Sequence, residues 1–335
     1  METGLYPIKQ GASTFMTEIE QSTEQSELVL TTPTPLTAHP AAVYLSSLTK
    51  GSRRTMGKAL NVIARLLTNG QCDALSLDWS KLRYQHTAAI RAVLMEQYAP
   101  ATANRMLCAL RRTLKETRRL RLMSADDYDA AVDLKSVRGD SPLRGRLLKQ
   151  SEIAALLKVC KNDPSLIGAR DAALIAILSG SGIRRSEAVA LEVADFDRET
   201  GALRVLKGKG RKFRTVYLPP GAIAAVKAWL EVRGDEPGAL LGAVRRGGHV
   251  KFKAMTDQAV MVILRKRAEQ AGVAAFSPHD FRRTFISNLL EAGADVLTVS
   301  RLAGHSNPAT SLKYDLRGEN AKRRAVQLLH VPYED

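Results

Sequence analysis

Four short segments of this 335-residue chain gather residue types that could do chemistry on an anion. Gly182-Ile-Arg184-Arg-Ser-Glu187 places a guanidinium at the mouth of a new helix, with a carboxylate one turn on. Ser277-Pro278-His279-Asp280 reads as an N-cap, a proline at the first helical position and an acid at the third. The helix so begun holds His279 and Arg282 three apart, on one face; Arg283, four apart, is an equally good neighbour. Asn307-Pro308 is a second cap and first-turn pair that places Tyr314 about two turns into a short helix. Gly304 ends the helix before it, and His305 lies in the turn between. Arginine is permanently charged and forked, so paired guanidiniums suit the non-bridging oxygens of a phosphate ester. A metal could do the same job, but no His/Asp/Glu cluster with ligand spacing appears, and His279 and His305 are too far apart in sequence to form a zinc pair. We therefore expect no metal and no cofactor.

The elements that must position these groups belong to a basic, well-folded chain. Lys plus Arg number 50 against 34 Asp plus Glu, a formal +16. Residues 1–36 hold one lysine and five glutamates, a net −4, which leaves +20 on the remainder. Such an excess on a folded body favours a polyanionic partner. With 45% hydrophobic and 25% charged residues, the chain can bury a core and does not resemble a disordered one. Cys72, Cys108 and Cys160 are scattered and odd in number, against a disulfide framework or a structural zinc site. No apolar run approaches 18 residues and the N-terminus lacks a signal pattern, so a cytoplasmic, nucleoid-associated protein is expected.

Composition divides the chain further. Residues 1–36, rich in Ser, Thr, Gln and Glu, read as a mobile acidic tail. Residues 37–133 follow helical periodicity throughout. Ser52 is a candidate cap for a helix that stops at Asn69-Gly70; another helix runs from Tyr84 to before Ala99-Pro100, and a third from about Ala101 to Leu120. On the third, Arg105, Arg112, Lys115 and Arg119 form one stripe, which either tracks DNA phosphates or is a solvated face opposite the core. Arg53 and Arg54 are further candidates for DNA contact. Residues 134–147 mix Gly, Pro and basic residues as a linker would. Residues 148–330 form a second domain of many helices and one small β-hairpin, Leu203–Leu206 and Phe213–Leu218, joined by a turn carrying Lys207, Lys209, Arg211 and Lys212. Residues 331–335 are a short tail.

Taken in order, Gly-Ile-Arg184-Arg-Ser-Glu187, Lys-Gly-Lys209-Gly, His279-Asp-Phe-Arg282 and Leu-Ala-Gly-His305 followed by Tyr314 resemble the tyrosine recombinase, or phage integrase, family. Its pattern is an Arg, a hairpin Lys, His-x-x-Arg, a His or Trp, and a Tyr. The detailed match covers residues 148–316, and 37–133 is similar to the family's core-binding domain in outline. The resemblance implies a mostly α protein: a helical, SAM-like core-binding domain followed by an α+β catalytic domain with a small antiparallel sheet. It also implies roles. Tyr314 attacks the scissile phosphate, leaving a 3′-phosphotyrosyl link and a free 5′-hydroxyl. Lys209 protonates the departing oxygen, a choice resting on the Gly-Lys-Gly match, since Lys207, Arg211 and Lys212 lie close by. Arg184 and Arg282 clamp the phosphate, His279 takes the tyrosine proton, His305 bonds the phosphate and Glu187 orients its cationic neighbours.

The chemistry itself asks for such help. A free tyrosine titrates near pH 10, so about one in a thousand is phenolate at neutral pH, and the phosphodiester repels it. Two guanidiniums would offset the charge that grows in the pentacoordinate transition state. A phosphotyrosyl bond conserves energy for religation, consistent with the lack of any Gly-x-x-x-x-Gly-Lys-Ser/Thr loop.

Phe281 and Arg283 depart from the residues commonest in the family, where Leu is usual and His is frequent. Tyr333 follows a proline in an acidic tail with no histidine at the family spacing, which rules it out as the nucleophile. The helical stretch 319–329 either docks on a neighbouring protomer or packs on its own domain. Family resemblance implies double-stranded DNA as partner and four protomers exchanging strands through a Holliday junction. The short acidic tail makes the chain more similar to compact Xer-like recombinases than to large integrases with arm sites. Two rival functions fit parts of the pattern: a type IB topoisomerase, and a DNA-binding regulator that does not cut.

Overall fold

The computed structural model describes residues 28–139, 145–207, 212–245, 247–305, 307–312, 314, 323 and 326–332, with the side chains of Lys207 and Lys212 outside that set. The chain divides into two compact units, Met1–Leu143 and Arg144–Asp335.

The first unit is helical: α1 (Pro40–Ser46), α2 (Lys50–Leu67), α3 (Tyr84–Gln97), α4 (Pro100–Arg119) and α5 (Ala125–Val132). Helix α4 is its axis, packing against the other four. Its buried Ala103, Leu107, Leu110 and Leu114 recur at helical spacing, while Arg105, Arg112 and Arg119 lie exposed on the opposite side. Helix α2 stops where the sequence predicts, with Asn69 and Gly70 both at positive φ (47° and 88°). Its start differs. Thr49, not Ser52, is the extended cap residue, and Ser52 sits inside the first turn, accepting a bond from the Thr49 hydroxyl at 3.2 Å.

Two stretches that composition sets apart hold described residues that are tied down. Residues 28–30, inside the supposed tail, pair with the 76–78 segment: Leu30 N donates to Ser76 O (2.9 Å), Asp78 N donates to Leu28 O (2.8 Å), and Leu28 is buried. One apolar anchor inside a polar run is enough to fix the backbone there. The linker is also tied down at its described ends. Leu134 and Val137 belong to the first unit's core. The Asn104 amide bonds the Val137 backbone in both directions at 2.8 Å, and Arg91 Nε donates to Lys135 O at 2.6 Å. At the other end Arg146 N donates to Asp280 Oδ1 (3.1 Å) and Leu148 N to Thr284 Oγ1 (2.8 Å).

The second unit comprises α6 (Gln150–Lys161), α7 (Leu166–Ser181), α8 (Arg185–Val189), β1 (Ala202–Lys207), β2 (Lys212–Tyr217), α9 (Pro220–Arg233), β3 (Gly242–Val244), β4 (Val250–Ala254), α10 (Asp257–Ala271), α11 (Pro278–Glu291), α12 (Val296–Ala303) and α13 (Ala309–Leu312). Helix α7 is largely apolar around its circumference, apart from the Arg170–Asp171 pair, because it runs through the core, packed by α6, α9 and α11. Strands β1 and β2 pair antiparallel from Ala202↔Tyr217 to Lys207↔Lys212, the hairpin read from the sequence. A second antiparallel pair, β3–β4, was not foreseen. Its strands are short and its only apolar positions on β4 are Val250, Phe252 and Ala254, too few to stand out by alternation. A satellite cluster of Ile286, Leu290, Val299 and Ala303 joins α11 to α12, and Tyr314 packs against it. Among the described residues no helix is long and apolar enough to cross a membrane.

A buried ion network ties α10 to α7. Arg267, only 1% exposed, donates to Asp171 Oδ2 (2.8 Å) and Asp163 Oδ2 (2.7 Å), while Arg170 holds the other oxygen of Asp171 at 2.9 and 2.6 Å. The Ser165 hydroxyl, then Arg267, draw the Asp163 carboxyl down to about 2. Truncating one partner of a buried pair strands the other. Arg267→Ala is therefore expected to destabilise the full chain by about 3–5 kcal/mol in denaturant unfolding. Since the folded pKa of Asp163 is depressed, the stability it contributes is present above the ordinary carboxylate value of 3.8 and is lost as pH falls towards 2. The variant should lose the share of that acid dependence that Arg267 supplies, while the Ser165 share remains; an unchanged midpoint and acid profile would contradict the assignment.

Candidate active site

The site is assembled from helix ends. Helix α7 terminates at Gly182, which takes a left-handed φ of 58° and whose added Cβ would lie 2.3 Å from the Phe285 ring, so only glycine fits. The chain then turns through Ile183 into α8, with Arg184 at its cap: Arg184 N donates to Glu187 Oε2 (2.8 Å) and Nη1 to Glu187 Oε1 (2.9 Å). Helix α11 begins with a capping box in which Ser277 N and Oγ donate to Asp280 Oδ2 at 2.8 and 3.0 Å. One turn further, Arg282 reaches back to Gly182 O with Nη1 at 2.9 Å. Its Nη2 is buried and, among the described residues, has no hydrogen-bond partner.

That orphan donor is the most informative feature of the site. Arg282 is 2% exposed, and a buried charged donor left unpaired costs several times a surface one. Burial, then the neighbouring Arg184, lowers its pKa to about 10, so it stays cationic at neutral pH. Arg184 is half exposed beside it, donating Nη2 to Gly304 O at 3.1 Å. The pair leaves a cationic recess with unmet donor capacity, the requirement for a phosphate.

The nucleophile candidate faces this recess. Tyr314 Oη lies 3.1 Å from His279 Nε2. The tyrosine does not sit in the second turn of a helix, as the sequence predicts: α13 ends at Leu312, and Tyr314 N bonds back to Ser311 O at 3.0 Å, in a tightened turn just beyond it. The His305 ring stacks at 21° on the Tyr314 ring, 6.3 Å between centroids. His305 is oriented by a buried hydroxyl chain: its Nδ1 is 2.8 Å from Ser311 Oγ, which is 2.7 Å from Ser300 Oγ. Burial, then Arg282 and Arg184, push the His305 pKa down to about 4, and the same kinds of cause lower His279, so both rings are neutral at neutral pH. Both neighbours of His279 left open by the sequence are used, differently. Arg282 points to the recess, while the Arg283 guanidinium lies 5.6 Å over the Tyr314 ring and donates Nη1 to Gly145 O at 3.1 Å.

The structure thus brings Arg184, Glu187, His279, Arg282, His305 and Tyr314 together from four helix ends. Lys209 and Arg211 lie outside the described residues, and so do the side chains of Lys207 and Lys212. The α4 stripe is placed on the outer face of the first unit, with Lys115 half-buried and Arg119 bonded to Glu116 at 2.9 Å. Arg54 is exposed. Arg53 is occupied: its guanidinium donates to Leu45 O, Ser46 O and Leu48 O, closing the end of α1. Sequence reasoning missed Ser300 and Ser311, which carry no charge or motif to mark them, and Arg214, whose partners are 27 and 88 residues away.

The family described as "Phage integrase family" matches residues 146–317. The tyrosine recombinase XerD of Ralstonia nicotianae is 33% identical over 245 residues, covering 71% of this chain and 75% of that protein. The tyrosine recombinase XerC of Myxococcus xanthus is 31% identical over 242 residues, covering 68% and 76%. Among solved structures, the integrase of transposon Tn1549 in complex with transposon right end DNA superposes with a TM-score of 0.65 at 16% identity, over 87% of this chain and 98% of that one, a likeness of fold. The chain belongs to the phage integrase family of tyrosine recombinases.

The His279 environment gives a direct check. In the DNA-free protein its ring should titrate below the ordinary 6.5, as burial and the nearby guanidiniums disfavour the imidazolium. An anion in the recess offsets those guanidiniums, so DNA binding should move the midpoint up. Histidine NMR titration of the free and DNA-bound protein reads both; a free-protein midpoint above 6.5, or none of the upward movement, would contradict the geometry.

Proposed function

We propose that this site-specific DNA recombinase cuts and rejoins DNA through Tyr314. The observation that carries the reading is the buried, unpartnered Nη2 of Arg282 beside a tyrosine hydroxyl already bonded to His279. The scissile phosphate seats between Arg184 and Arg282, which offset its charge and the further charge of the transition state. Tyr314 Oη attacks phosphorus as its proton passes to His279 Nε2. The P–O5′ bond breaks, leaving a 3′-phosphotyrosyl link, and Lys209 protonates the departing 5′ oxygen. His305 donates to a phosphate oxygen. Religation reverses these steps with a 5′-hydroxyl as nucleophile, so the exchange needs no external energy source.

Substrate binding follows the same electrostatics. The exposed Arg105, Arg112 and Arg119 of α4 are proposed to track duplex phosphates, with Lys115 of the same helix, Arg54 of α2, and Lys207, Arg211 and Lys212 on the hairpin adding to them; Arg53, engaged by three carbonyls, is the weakest of that group. Residues 37–133 and 148–330 act as the DNA-binding and catalytic portions. Four protomers on two sites, in the nucleoid of the cytoplasm, exchange strands through a Holliday junction.

Covalent capture tests this. Wild-type protein and Tyr314→Phe are incubated with fragmented source-genome DNA in EDTA, denatured, and the protein-linked ends sequenced. Wild type should trap ends at a recurrent sequence, with the variant trapping none. Linkage scattered without sequence preference would favour a topoisomerase. Tight gel-shift binding by both with no linkage, on nicked as well as intact DNA, would favour a non-cutting DNA-binding protein.

A further inference from the structure

Arg214 lies on β2, opposite Val205 of β1, and its side chain leaves the hairpin for the site. It forks onto Glu187: Nη1 donates to Oε1 at 3.0 Å and Nη2 to Oε2 at 2.7 Å, the parallel geometry that fixes a carboxylate plane. Its Nε donates to Leu302 O at 3.1 Å. Both Arg214 and Glu187 side chains are 10% exposed, so this pair is largely shielded from water. Gly304 completes the fit: a Cβ there would lie 2.8 Å from Arg214 Cζ.

Arg184 uses the same two anchors more loosely. Its side chain makes one bond to Glu187 Oε1 and one to Gly304 O, and remains 44% exposed. The direction of dependence follows from this contrast. Arg214 is gripped at three points on two elements, whereas Arg184 rests on a carboxylate and a turn that Arg214 already holds.

Charge makes the arrangement necessary. Glu187 alone with Arg184 would offset one of the guanidiniums that a phosphate needs. With Arg214 forked on its far side, the carboxylate is balanced from the hairpin, and Arg184 keeps its charge for the recess. Burial by itself would raise the Glu187 pKa, yet the bonds from Arg214 and Arg184 bring it below its ordinary value, so it is ionised at neutral pH.

We infer that Arg214 is a positioning residue of the phosphate clamp: through Glu187 and the Leu302–Gly304 turn it orients Arg184 and leaves that guanidinium's charge available to the scissile phosphate. This rests on the recombinase reading above. Arg214 need not touch DNA.

The test uses the full chain and the recurrent sequence recovered by covalent capture, made as a nicked duplex. Arg214→Lys keeps a cation beside Glu187 but lacks the fork. Gly304→Ala displaces the same guanidinium without changing charge. Both should slow single-turnover cleavage by about 10²-fold, the scale of a misplaced catalytic group. Gel-shift affinity should hold within about threefold, because many phosphate contacts set it. The loss should be non-additive with Glu187→Gln, since the residues act as one unit. A 5′-bridging phosphorothiolate, whose thiolate leaves without an acid, should not restore the rate.

Wild-type-like cleavage by both variants would overturn the inference. So would losses that multiply with Glu187→Gln, or rescue by the phosphorothiolate, which would place Arg214 in service of the hairpin acid instead. If wild type forms no covalent link, the recombinase reading has failed, independently of Arg214.

Discussion

Guanidinium groups held side by side repel one another, and away from water the repulsion is poorly screened. The second unit nevertheless gathers Arg184, Arg214 and Arg282 around one recess, where burial, then Arg184, depresses the Arg282 pKa. The Glu187 carboxylate makes the cluster possible. It accepts from two arginine side chains and from the Arg184 backbone. What it does not offset is the unpartnered Nη2 of Arg282, and that residual demand for an anion is what the site presents to a ligand.

The fold's contribution is to bring the segments that carry Arg184, His279 and Arg282, His305 and Tyr314 together and hold them there. Helix α7, running through the core, delivers Gly182 and Arg184 at its end; the start of α11 delivers His279 and Arg282. The small cluster between α11 and α12 seats Tyr314 apart from the main core. Separate packing of Tyr314 fits the proposed nucleophile, a group that must move onto phosphorus while the clamp stays rigid. The hydroxyl chain from Ser300 through Ser311 to His305 adds direction: it occupies one ring nitrogen and leaves the other for the substrate.

Much of this was legible in the sequence because it is written in local signals. Ser277-Pro278 and Gly182 mark helix ends by residue type alone, and His279 and Arg282 follow from three-residue spacing. The family order then singled out Tyr314 and His305. Local signals could not choose between the uses of Arg282 and Arg283, since offsets of three and four are equivalent on a helix; the carbonyl of Gly182, a hundred residues away, decides it. Arg214 carries no local mark, as its partners are in α8 and in the last turn of α12. The anchoring of Leu28 and the strapping of Val137 were hidden for the same reason: each is a pairing across the chain, inside a stretch whose average composition reads as loop.

The central claim is that buried arginine charge, seeking an anion, drives phosphoryl transfer from Tyr314. Replacing the scissile phosphate by a methylphosphonate removes one negative charge while keeping phosphorus and its ester bonds. With Arg282→Ala, cleavage of the ordinary nicked duplex should fall by about 10²–10³-fold, as for loss of one electrostatic donor. The methylphosphonate duplex should restore most of that rate, because the charge Arg282 offsets is no longer there. If Arg282→Ala cleaves both duplexes equally slowly, Arg282 is not neutralising the phosphate and the account is wrong.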